Sequence, residues 1–180
     1  MSDQRITFTE LNTLGPDMLE ERLGHLFEHS PWIVRDALPG RPFASREAFH
    51  SALCAVVRNA SPDAQVTLIR EHPDLVGRAA LAGTLTPSST SEQAGAGLGA
   101  DSLSQDERDE FQRLNKEYRD RFGFPFVICA RENRKASILA GFQQRLRNER
   151  AAEIATAIAE IEKIAWYRLI DSVRGEGGQA

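Results

Sequence analysis

Apolar residues recur at helical spacing along most of the 180-residue chain. From Pro16 to His29, the residues Met18, Leu19, Leu23, Leu26 and Phe27 share one face of a 3.6-residue period, and Pro16 suits a first helical position. Pro31 opens a short helix through Ile33, Val34 and Ala37, ahead of the loop Leu38-Pro39-Gly40-Arg41-Pro42. Ser45 caps a helix with Phe49, Leu53, Val56 and Val57 on one side. Ser61-Pro62 repeats the cap-and-proline signature before Val66, Leu68 and Ile69. That helix must stop near His72, because Pro73 disfavours helical geometry in the residue before it.

From Gly77 to Asp101 the chain turns to Gly, Ala, Ser and Thr. About 25 residues is long for a structureless loop, so the stretch is either functional or partly helical around Ser91 to Gly97. Ser104 and Glu107 make a capping box for a long polar helix to about Phe122, closed by Gly123. The apolar run 124–130 finds no strand partner elsewhere and reads as a buried extended connector. Helices over about Arg134 to Asn148 and Ala151 to Arg174 complete the pattern. The expectation is an all-α protein: one compact multi-helix domain over 1–174, with a flexible tail over 175–180.

Composition narrows the function. Hydrophobic residues make up 41% and charged residues 27%, the balance of an ordinary globule. A net charge of −4 with interspersed signs excludes a basic nucleic-acid face. No apolar run reaches the roughly 20 residues that span a bilayer. The N-terminus lacks a signal-peptide core and the C-terminus is not a peroxisomal address, so a cytoplasmic location is expected, with neither nucleic-acid nor membrane partners. Two cysteines, Cys54 and Cys129, read as reduced core thiols.

Three places carry candidate chemistry. His72, between a helix end and Pro73, is an imidazole oriented at little entropic cost; it either exchanges protons near neutral pH or caps its helix. Ser89-Thr90-Ser91-Glu92-Gln93 reads as the start of a helix, where N–H groups favour an anion, or simply as a cap. Arg168 continues the apolar stripe of Ile154, Ile158, Ile161 and Ala165, so its guanidinium needs an anion, either an internal carboxylate or a substrate's. His25 and His29 have the four-residue spacing of a metal pair but no third ligand in view, and no metal is expected. Gly95-Ala96-Gly97-Leu98-Gly99 fits neither a dinucleotide fingerprint nor a P-loop. Charged runs such as 145–150 read as solvated faces.

Together the motifs resemble the 2-oxo-4-hydroxy-4-carboxy-5-ureidoimidazoline (OHCU) decarboxylases. Glu71-His72-Pro73-Asp74-Leu75-Val76-Gly77-Arg78, Gly83-Thr84-Leu85-Thr86-Pro87, Ser89-x-x-Glu92-Gln93, Leu114-Asn115 through Arg131, and Lys163-Ile164-Ala165-x-x-Arg168-Leu169 carry the likeness, in order. The resemblance implies an all-α homodimer that converts OHCU to (S)-allantoin and CO2 without a cofactor. It places the catalytic set on His72, Glu92 and Arg168. Substrate contacts fall on Pro73, on the run Ser89, Thr90, Ser91, Glu92 and Gln93, and on the backbone of Phe126, Val127, Ile128, Cys129 and Ala130. Two readings from other classes stand beside it. A non-catalytic helical module predicts a deeply buried Arg168–carboxylate pair and no polar pocket near His72, and a metal-dependent hydrolase would use His25 and His29. A related ureide substrate in the same family is the remaining alternative.

Overall fold

The computed structural model describes residues 5–175, and its elements are helices. They run α1 Phe8–Thr13, α2 Pro16–Leu23, α3 Trp32–Ala37, α4 Arg46–Asn59, α5 Pro62–Glu71, α6 Arg78–Leu81, α7 Pro87–Gly95, α8 Gln105–Phe122, α9 Lys135–Arg145 and α10 Arg150–Ser172. Among the described residues the one extended pairing is an isolated bridge between Ile6 and Val173. The all-α expectation holds. No described helix is long and apolar enough to cross a membrane. The flexible tail expected over 175–180 falls, apart from Gly175, outside the described residues.

The chain packs as two compact units, one built from residues up to Gln65 together with those from Glu162 on, the other from Val66–Ile161. In the first unit α3 packs against α2 and α4. Its interior takes Leu19, Leu23, Ile33, Val34, Phe49, Leu53 and Leu169. Ile6 donates to the Ser172 carbonyl at 2.9 Å and accepts from Arg174 N–H at 2.9 Å, which ties the chain's first described residues to the end of α10. The sequence reading has no helix at α1, although its signature is present. Thr7 Oγ1 accepts from Glu10 N–H at 3.1 Å and the Glu10 carboxylate accepts from Thr7 N–H at 2.7 Å, a complete capping box.

In the second unit the capping box of α8 forms as expected, and Gly123 ends the helix at φ 79°. Left-handed backbone is where glycine is favoured. Phe111, Tyr118, Phe122, Phe124, Phe126 and Phe142 make the core; Phe126 stacks on Phe142 with centroids 3.8 Å apart. Such pairs are worth about 0.5–1.5 kcal/mol beyond area burial. The expected connector 124–130 is extended and buried, ending in a 3-10 turn over Ala130–Glu132.

One expectation is corrected. Arg145 is not on a solvated face: it is buried, its Nη2 lies 2.5 Å from Glu153 Oε1, and its Nη1 donates to the Val127 carbonyl at 2.7 Å. Tyr118 donates its hydroxyl to the same carboxylate, and Asn148 Nδ2 donates to Oε2 at 2.8 Å. The last turn of α9 points this guanidinium inward, and a buried charge is tolerable there because its partners answer it.

Candidate functional site

His72 closes α5. Its N–H donates to the Ile69 carbonyl at 3.2 Å, and the side chain, 5% exposed, donates from Nδ1 to the Leu68 carbonyl at 3.0 Å. The helix-capping role foreseen for this histidine is therefore real. Because a carbonyl only accepts, Nδ1 carries a proton in this bond, and Nε2, shielded from solvent, is the other ring nitrogen. Capping and proton exchange are compatible, since they use different nitrogens.

The turn after His72 is strained and held. Val76 has φ 53°, left-handed geometry that a β-branched residue adopts at a cost of about 1–3 kcal/mol. A Cβ on Gly77 would lie 2.6 Å from Asp74 Cβ, so only glycine fits that close approach. Three side chains restrain the turn. Gln93 Oε1 accepts from Val76 N–H at 3.1 Å, and its Nε2 lies 3.5 Å from the Asp74 carbonyl. Asn115 Nδ2 donates to the Leu75 carbonyl at 2.8 Å, and Arg119 Nε donates to both Asp74 oxygens at 2.8 and 3.0 Å.

Residues 89–93 lie one turn deeper in their helix than the sequence reading has them. The cap of α7 is Thr86, whose hydroxyl accepts from Ser89 N–H at 3.3 Å, and Pro87 is the first helical residue. The run also divides between two faces. Ser89 and Gln93 are buried and Glu92 is half-buried, whereas Thr90 and Ser91 are exposed, with the Thr90 hydroxyl donating to the Thr86 carbonyl at 3.0 Å. Within this unit α7 meets the turn after His72 through Gln93, and it packs against the 3-10 turn 130–132. Glu92, the residue before Gln93, thus sits on the helix that joins the histidine turn to the connector.

In the connector the side chains of Phe126, Val127, Cys129 and Ala130 are buried and Ile128 is half-buried. Several main-chain groups have internal partners. The Val127 carbonyl accepts from Arg145, Cys129 N–H donates to Glu160 Oε2 at 2.8 Å, and the Cys129 carbonyl accepts from Asn133 Nδ2 at 3.0 Å. Burial pushes the Cys129 thiol up to about 11 and the Cys54 thiol up to about 12. Neither is a nucleophile at neutral pH.

A polar cleft of about 640 Å³ opens at this turn, with His72, Pro73, Asp74, Gly77, Asn115 and Arg119 in its walls. Glu92 is not among them. The other unit holds Arg168, 3% exposed, whose Nη1 donates to Glu28 Oε2 at 3.0 Å and to the His25 carbonyl at 3.1 Å. The internal-carboxylate reading of Arg168 is met by Glu28, itself buried. A non-catalytic module foresees that pair, but it does not foresee the cleft at His72. His25 Nε2 lies 2.9 Å from Ser172 Oγ, and among the described residues no group of three or more His, Cys, Asp or Glu could hold a metal ion.

Asn115, in the sequence only part of a motif, is a further residue in the cleft wall. It lies on the buried stripe of α8 with Phe111, Leu114, Tyr118 and Phe122, the same polar-on-apolar signal that singles out Arg168. Its Oδ1 is shielded from solvent with no donor among the described residues, which costs about 1–3 kcal/mol.

Residues 12–170 match the family model described as OHCU decarboxylase. The 2-oxo-4-hydroxy-4-carboxy-5-ureidoimidazoline decarboxylase of Haloferax volcanii is 38% identical over 95% of this chain and 98% of its own length. The uric acid degradation bifunctional protein PucL of Bacillus subtilis is 37% identical over 95% of this chain, which spans 33% of that protein. Among solved structures, an (S)-allantoin synthase superposes over 94% of this chain and 54% of its own, with TM-score 0.73 and 26% identity.

Proposed function

Since the chain belongs to the OHCU decarboxylase family, we propose that it converts OHCU to (S)-allantoin and CO2 without a cofactor, as a step in urate breakdown. The family match over residues 12–170 carries this reading. The held imidazole of His72, a residue in the walls of a polar cleft, supports it.

The chemistry needs little from the protein beyond position and one proton. The substrate bears its carboxylate on a carbon that also carries a hydroxyl, next to a C=N bond. When the C–C bond to the carboxylate breaks, its electron pair moves toward that C=N, and CO2 leaves. The nitrogen of the former C=N takes up a proton, the hydroxyl proton is lost as the C=O forms, and one proton is added to the neighbouring ring carbon from a single face. The substrate is its own electron sink, so pyridoxal or thiamine is not required. His72, through Nε2, exchanges the proton with the hydroxyl or the new C–H, and Glu92 fixes the ureido group and the protonation state of the histidine. Pro73, Ser89, Gln93 and the main chain of 126–130 are the remaining substrate contacts on this reading. Arg168 belongs to the other unit, and its place in the set rests on the family match alone.

A cytoplasmic homodimer acting on this one small molecule, with neither nucleic-acid nor membrane partners, completes the proposal. The net charge of −4 supports the last point. Optical activity, followed while OHCU made in situ from urate decays, tests the reaction. Faster decay to one allantoin enantiomer is expected, and decay to a racemate at the uncatalysed rate refutes it. Light scattering on the eluting peak reads the dimer.

A further inference from the structure

We propose that Asn115 is a positioning residue for His72, acting through the Leu75 carbonyl on the turn 73–77. The inference rests on the reading of His72 as the residue that exchanges the proton. Packing alone would place an apolar residue at position 115, between Phe111, Leu114, Tyr118 and Phe122 on the buried face of α8. Asparagine there leaves Oδ1 shielded and without a donor among the described residues, while Nδ2 makes a 2.8 Å bond to the Leu75 carbonyl. A polar group placed at such a disadvantage is retained where its one good bond does something a leucine cannot.

That bond is the firmest hold on the turn. The Asp74–Arg119 pair is half open to solvent, where ion pairs contribute little. The Gln93 contact to the Asp74 carbonyl is at 3.5 Å, the limit of a hydrogen bond, and its contact to Val76 N–H is 3.1 Å. The Asn115 bond is shorter than both and buried, and it grips the peptide immediately before Val76, the residue held at φ 53°. Without it, the Leu75–Val76 peptide is left to the longer Gln93 bond alone, and Val76 is less firmly kept from returning to negative φ. Pro73 follows His72 directly, so the change passes to the backbone that orients the imidazole. Asn115 and His72 line the same cleft, and a shift of the turn therefore moves the ring relative to whatever the cleft holds.

Asn115→Leu and Asn115→Asp test this, each assayed for kcat and KM on freshly generated OHCU. Ring-nitrogen NMR of His72 is recorded alongside across pH, with the thermal midpoint as the fold control. Asparagine alone of the three side chains donates to the Leu75 carbonyl, and aspartate keeps its size. The expected result is a folded protein with kcat down roughly 10- to 100-fold and KM changed less than about threefold, as misplacement of one group predicts. The His72 ring-nitrogen resonances and their titration should shift in step. A kcat like wild type overturns the proposal, as does a lost kcat with unchanged His72 resonances, or failure of both variants to fold, which would give Asn115 to the fold alone. If the wild-type protein does not turn over OHCU, the functional reading fails separately, and the His72 resonances still decide whether Asn115 sets the ring.

Discussion

The imidazole of His72 is tethered by its own helix: Nδ1 donates to the carbonyl of Leu68, four residues back, at 3.0 Å. Asparagine at 72 keeps a donor close to the position of Nδ1 and removes Nε2. His72→Asn is therefore expected to fold with a thermal midpoint near wild type and to lose about 10²- to 10⁴-fold in kcat, the usual worth of acid–base help. Glu92→Ala should lose activity in the same range. Steady-state assays on OHCU with circular dichroism check both, and near-normal turnover by either variant withdraws its assignment.

Glycines 77 and 123 separate the site from the scaffold. A Cβ at 77 meets Asp74 Cβ at 2.6 Å and the Asp74 carbonyl oxygen at 3.1 Å, and the turn beside His72 must move to admit it. Gly77→Ala should cut kcat by about tenfold or more, since a misplacement of about 1 Å costs up to about 10². At Gly123 the nearest atom is a flexible Arg70 nitrogen at 3.6 Å, and the difficulty is φ 79°. Gly123→Ala should lower stability by about 1 kcal/mol and leave turnover unchanged. Urea melts and assays on the two variants read the contrast.

The Arg145–Glu153 pair is in the core, with side-chain exposures of 9% and 0%. Removing one partner strands a buried charge, so Arg145→Met should cost about 3–5 kcal/mol in urea denaturation. The double variant Arg145→Met/Glu153→Leu should cost clearly less than the two single changes summed. Additive losses would show that the two residues act independently.

Both cysteines should be inert in the native protein. Thiolate is the reactive form, and burial raises Cys54 to about 12 and Cys129 to about 11. At pH 8 the thiolate fractions are then about 10⁻⁴ and 10⁻³. Because the pKa values are raised, reactivity should grow as pH climbs toward 11, with Cys129 titrating first. Reaction with a chromogenic disulfide at pH 8 should be slow when native and quick for both thiols in denaturant; a fast native thiol contradicts the shifts.

Local signals made most helices legible. Ser45, Ser61-Pro62, the Ser104/Glu107 box and Gly123 mark ends that the structure places within a few residues. The proline after His72 fixes the end of α5 before any tertiary contact is considered. What stayed hidden depends on partners distant in sequence. Arg145 sits in a run of charges that looks solvated, and only Glu153, Tyr118 and the Val127 carbonyl reveal it as interior. The cap at Thr86 rather than Ser89 is different in kind, a local choice made by Pro87 at the first helical position. Of the site, His72 and its turn could be read as a rigid element. That Gln93 and Asn115 restrain this turn follows from pairings 17 and 40 residues apart, beyond the reach of periodicity.

The connector 124–130 turns most of its side chains inward, so a molecule that meets this segment meets mainly peptide groups. Peptide groups are the same whatever residue carries them. Point substitutions along 126–130 therefore disturb the core before they alter recognition, and a change of ligand preference here would require the strand of chain to take a different course.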